Sequence, residues 1–101
     1  MTAPRPHLSL VAAVESPAHA HRLRRFAFRE PLPLGAQQAL VRLHLDLQRQ
    51  LRGLVRCAAG FDPATGEWVD HSVWIAGHAP PGENVSAETS EATMRRLRHR
   101  V

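Results

Sequence analysis

The chain contains no lysine and no tyrosine, and its only cysteine is Cys57. One thiol rules out an intrachain disulfide, and with it the cystine-stapled scaffold of small secreted proteins. The absence of lysine makes all 13 basic residues arginine, a substitution that GC-rich coding produces throughout a chain. Arginine still brings a planar five-donor fork that grips phosphate or carboxylate and stacks on rings. No apolar run approaches the roughly 18 residues of a membrane span. Arg5 and the short run Leu8 to Val14 imitate a secretion leader only faintly, so no membrane partner and a cytoplasmic setting are expected.

What remains is a globular composition. The 101 residues are 44% hydrophobic and carry a net charge of +4, which fits one domain with a buried core. Residues 1–7 are rich in Pro and polar groups and read as a flexible N-terminal arm, leaving 8–101 as a single α+β domain.

Patterning then divides that domain. Residues 8–15 alternate, with Leu8, Leu10, Ala12 and Val14 on one face, which is the period of a strand. A second run, 22–30, sets Phe26 and Phe28 against Arg25 and Arg29 and reads as another strand, ended by Pro31 and Pro33. From Gly35 a long helix begins. At 100° per residue, Ala36, Leu40, Leu43, Leu47, Leu51 and Leu54 fall within an arc of about 80°, so this leucine stripe is expected to face the core. The helix stops at Gly53, if that glycine takes the left-handed turn after a helix end, or else continues to Gly60. Asp62 to Gly66 is a turn between two strand-like runs, and residues 77–85 read as a loop. Ser86 is the N-cap of a last helix, with Glu88 and Glu91 early and Arg95, Arg96, Arg98 and Arg100 late, a charge order that suits the helix dipole. Ala87, Met94, Leu97 and Val101 form its narrow apolar face. The expected order is β-β-α-β-β-α, an antiparallel sheet packed against one long amphipathic helix plus a C-terminal helix.

Motifs that would carry chemistry are missing. Seven histidines come without a Cys-x-x-Cys pair or a helical His-x-x-x-His, so no metal site and no cofactor are expected. Cys57 falls on the core side of a strand and reads as a small buried hydrophobe. Asp70 and His71, adjacent on a strand, point to opposite faces and cannot act on one substrate together. There is no glycine-rich phosphate loop and no nucleophile elbow, so an enzyme is not expected.

Binding surfaces carry the functional expectation. Leu34, Val41 and Leu45 lie off the leucine stripe, among Arg42, Arg49 and Arg52. An apolar trio rimmed by arginine is an interface composition, either for a homodimer or for another protein. The alternative is nucleic acid, bound by Arg25, Arg29, Arg95, Arg96 and Arg98 with Trp68 and Trp74 as stacking platforms. Size and the lack of catalytic machinery suit a small non-enzymatic regulator or inhibitor, of the type encoded by phages and mobile elements.

Overall fold

The computed structural model describes residues 19–101. The expected arm at 1–7 and the expected strand at 8–15 lie outside the described residues. The remainder forms β1 (Ala20–Phe26), α1 (Leu34–Gln48), β2 (Leu54–Asp62), β3 (Glu67–Trp74), β4 (Glu83–Val85) and α2 (Ala87–Arg95). The strands make one antiparallel sheet in the order β2-β3-β1-β4. The α+β class, with one long helix and a C-terminal helix against an antiparallel sheet, is as expected.

The β2–β3 hairpin follows directly from local chemistry. Asp62 accepts from the Ala64 N–H through Oδ1 (3.0 Å), and its carbonyl accepts from the Gly66 N–H (2.8 Å), so the five-residue turn closes on its own backbone and one carboxylate. Period two then sends Trp68, Asp70, Ser72 and Trp74 to one face of β3 and Val69, His71 and Val73 to the other. Residues 83–85, expected as part of a loop, pair with His21 to Leu23 as β4. Three residues are too few for alternation to be visible; the free edge of β1 recruits them.

α1 closes earlier than either expected stop. Its last residue is Gln48, and residues 49–53 then turn the chain into β2. Gly53 is indeed left-handed at φ 86°, and a Cβ there would lie 2.3 Å from Cβ of His78. Gly60 matters for a different reason: a Cβ would meet Leu97 Cβ at 2.6 Å. That close approach lets the tail after α2 lie along β2, where Phe61 exchanges backbone bonds with Arg98 and Ala59 with Val101. The tail therefore leaves the helix at Arg95 instead of continuing it.

The main correction concerns the helix faces. Leu40, Leu43, Leu47 and Leu51 are 46 to 58% exposed, whereas Val41 and Leu45 are 1% exposed. The leucine stripe expected in the core faces outward, and the trio expected to meet a partner is core. Val41 and Leu45 pack on Cys57, Ala59 and Trp68, with Leu34, Phe26, Phe28, Phe61 and Val101 completing the cluster. On the opposite face of the sheet, Leu23, Val69 and Leu97 form a second cluster with Val85 and Met94. There α2 buries Ser90 and Thr93; of the apolar face expected from Ala87, Met94, Leu97 and Val101, Met94 and Leu97 pack on this cluster, Val101 packs on the other, and Ala87 is exposed.

Candidate functional site

Polar atoms on the α1 side of the sheet decide which flank of the helix is buried. Trp68 donates through Nε1 to Gln37 Oε1 (2.9 Å), and Gln37 in turn donates to the Leu32 carbonyl (2.8 Å). Asp70 is 1% exposed. Its carboxylate accepts from Arg24 Nη2 (3.0 Å) and Gln48 Nε2 (3.5 Å) and meets His44 Nε2 at 3.1 Å. Arg24 also donates to Gln48 Oε1. Gln37, His44 and Gln48 all belong to α1, within a turn of the Val41–Leu45 face. A buried carboxylate without partners costs several kcal/mol, and leucines have no donors to offer. Burial of the leucine stripe would strand Asp70 and the Trp68 N–H; burial of the other flank satisfies both.

Among the described residues the Asp70–His44 contact brings an imidazole onto a buried carboxylate, and it was not expected. The signal was present: Asp70 shares a strand face with Trp68 and Trp74, so a carboxylate on a core face called for a donor from the helix above it. His44 is 44% exposed on its side chain and packs edge-on to Phe26, with ring centroids 6.1 Å apart. Among the described residues no serine, threonine or cysteine hydrogen-bonds His44, and no group of three or more His, Cys, Asp or Glu is placed to hold a metal. Cys57, against α1, has its thiol pushed up by burial, which Arg49 and Gln48 only partly oppose. It stays protonated at neutral pH.

The residues expected to bind nucleic acid are not brought together. Trp68 is 0% and Trp74 2% exposed, so neither ring has a face for a base. Trp74 spends its N–H on Ser72 Oγ (2.7 Å). Arg25 pairs with Asp62 across 3.4 Å. Arg29 follows β1, while Arg95, Arg96 and Arg98 are exposed at the far end of α2. The partner-binding arginines divide similarly. Arg42, Arg49 and Arg52 are exposed, but Arg49 pairs with Asp46 (2.7 Å). Arg42 lines a shallow cavity of about 250 Å³ with Gly35, Gln38 and Ala39. By helical angle this arginine flank lies on the other side of α1 from the exposed leucines, so it does not rim them.

What the helix does present is an apolar ladder. Ala36, Leu40, Leu43 and Leu47 recur at steps of four, three and four, the spacing of a helix-docking seam, and Leu51 extends it into the turn after α1. Among the described residues Ile75, at 48%, is the other large exposed hydrophobe. Among the described residues no helix is long and apolar enough to cross a membrane. No family model, no curated protein and no solved structure matches the chain, so the functional reading rests on these side chains.

Proposed function

We propose that the chain is a non-enzymatic protein-binding module that docks a partner on the leucine ladder of α1. The observation that carries this reading is the pairing of two facts about one helix. Its core face is already filled by Val41 and Leu45, yet Leu40, Leu43, Leu47 and Leu51 are about half exposed on another flank. Single exposed leucines need no explanation, whereas three in register on one helix, continued by Leu51 in the turn after it, form an apolar strip of the kind that marks protein contacts. The matching occupant is an apolar helix or strand of another protein, or α1 of a second copy. Such a module would regulate or inhibit its partner by occupying it. One buried thiol fits a reducing compartment such as the cytoplasm.

The test uses the paired variant Leu43→Glu/Leu47→Glu, at sites 54% and 58% exposed, with circular dichroism to verify the fold. Light scattering after size exclusion reports self-association. A photo-crosslinking residue at Leu47, compared with one at Arg42 on the opposite flank, reports a different partner in cells. A wild-type dimer that becomes monomeric in the variant supports the reading, as does a discrete adduct from position 47 that is absent from position 42 and lost with Leu43→Glu. A wild-type monomer with no position-specific adduct overturns it. So does nucleic-acid binding that falls steeply with salt, disappears on replacing Arg95, Arg96 and Arg98 by Gln, and ignores the leucine changes.

A further inference from the structure

β1 places two arginines on the face of the sheet that carries α1. By period two, Arg22 and Arg24 stand on that face with their β3 partners Ser72 and Asp70. Arg24 has a charged partner: its Nη2 donates to the Asp70 carboxylate (3.0 Å) and also to Gln48 of α1. Arg22 differs. It donates through Nε to the Pro80 carbonyl (3.1 Å) and through Nη1 to Asn84 Oδ1 (2.7 Å), both neutral acceptors. Among the described residues no carboxylate lies within ion-pair distance of it. Glu83 of β4 stands opposite Leu23, on the other face. The loop before β4 closes on both arginine stems, since a Cβ at Gly82 would meet Arg22 Cδ at 3.4 Å and Arg24 Cγ at 3.9 Å. Arg22 is thus a half-buried guanidinium anchored at two points, with N–H groups on Nη1 and Nη2 left over and its charge uncompensated.

The leucine ladder and this arginine share one side of the sheet. At 100° per residue His44 borders Leu40 and Gln48 follows it around the helix, so the flank between ladder and core is the one that meets β1. His44 packs edge-on to Phe26 with centroids 6.1 Å apart, and Gln48 is bonded to Arg24. Arg22 is the next residue of β1 on that face. We infer that the partner of the ladder is an amphipathic α-helix of another protein, with its apolar seam on Leu40, Leu43 and Leu47 and a carboxylate on one flank paired with Arg22. This rests on the docking function proposed above and adds the chemistry of the partner.

A helix suits the ladder because it brings its backbone bonds with it. An extended segment laid on leucines, away from a sheet edge, would bury unpaired N–H and C=O groups. The steps of three and four also match the seam of a second helix. A carboxylate suits Arg22 because an anchored guanidinium forms charge-assisted bonds with little further ordering. A cation set against it would be repelled. A second copy of the chain does not meet these terms. The one carboxylate of α1 is Asp46, which is bonded to Arg49 on the flank away from the ladder. α2 does carry Glu88 and Glu91, but its Met94 is packed on its own sheet. The acidic flank therefore comes from a different protein.

Fluorescence anisotropy on the full chain tests this with two labelled synthetic helices. Each has leucine along its seam and either glutamate or glutamine on both flanks, and is used where it is monomeric. At about 50 mM salt the glutamate helix is expected to bind at least about fivefold tighter, a preference that shrinks as salt rises. Arg22→Gln is expected to abolish the preference and leave binding of the glutamine helix unchanged. Leu43→Glu/Leu47→Glu is expected to lose both helices. Equal binding of the two helices by the wild type overturns the acidic partner and leaves the docking function standing, as does a preference that survives in Arg22→Gln. Binding of neither helix also overturns the inference, and the docking function then stands or falls on its own crosslinking test. A crosslink from position 47 to a second copy overturns this inference alone; one to residues 1–18 of the same chain overturns both. Binding to phosphatidylserine vesicles in place of either helix, lost in the leucine variant, assigns the ladder to a membrane surface and overturns the inference. Should Arg22→Gln fail to fold, NMR of the wild-type Arg22 Nε–H signal decides. A shift with the glutamate helix and none with the glutamine helix supports the pairing, and no shift with either overturns it.

Discussion

Leu45 and Leu47 are two positions apart on α1, yet one is 1% and the other 58% exposed. The same substitution should therefore have opposite weight at the two sites. Leu45→Ala removes buried methylenes from the contact with Cys57, Ala59 and Trp68 and should cost about 2–5 kcal/mol. Leu47→Ala should stay within about 0.5 kcal/mol. Urea midpoints at constant slope measure both, and equal costs would mean that α1 is rotated from the described position. Leu45→Glu, which the sequence alone would nominate as an interface probe, reports folding instead. Two ionisable residues behave just as distinctly. Cys57 should react slowly with a thiol reagent in the native protein and rapidly in denaturant; fast native labelling would contradict its burial. Asp62 has its carboxyl held below the usual range, chiefly by the Ala64 N–H, with Arg25 adding to it against an opposing desolvation effect. Its stabilising contribution is present above the ordinary carboxylate range, about pH 4, and is lost as pH falls toward the depressed value. Asp62→Asn should flatten that part of the stability profile, and an unchanged acid limb would show that the turn carboxylate plays no part in it.

At the scale of elements, the two helices begin differently. α2 starts on Ser86, whose Oγ accepts from the Thr89 N–H (3.1 Å), with Glu88 in the first turn. α1 starts on Pro33, with no side-chain cap and no acid in its first turn; tertiary packing on Trp68 and Asp70 holds it. Ser86→Ala should therefore cost about 1 kcal/mol and raise exchange in residues 87–95 first. Uniform loss across both helices would argue that α2 does not open separately. The legible elements were those whose signals are local. Alternation and the Asp62–Gly66 turn placed the β2–β3 hairpin, and Ser86 marked the start of α2. β4 was invisible because three residues carry no period, and the stop of α1 at Gln48 was hidden because Leu51 and Leu54 prolong the stripe beyond the helix.

For the whole molecule, the candidate site was legible only as a residue class. A partner surface on the long helix was expected at Leu34, Val41 and Leu45, but these pack into the core while the leucine stripe expected there is exposed, and Trp68 and Trp74 belong to the interior. The local pattern of the chain sets the class, the hairpin, the existence of the long helix and the side of β3 on which each residue stands, because periodicity and turn chemistry act within a few residues. Which flank of α1 is buried was decided only in three dimensions. The leucine stripe is the larger apolar face, but the sheet beneath the helix carries the Trp68 N–H and the Asp70 carboxylate. Gln37, His44 and Gln48 can satisfy them and leucine cannot. Hydrophobic count alone selects the wrong face, since two unsatisfied buried polar groups outweigh the area gained. The helix turns Gln37 and Gln48 inward and leaves Leu40, Leu43 and Leu47 exposed.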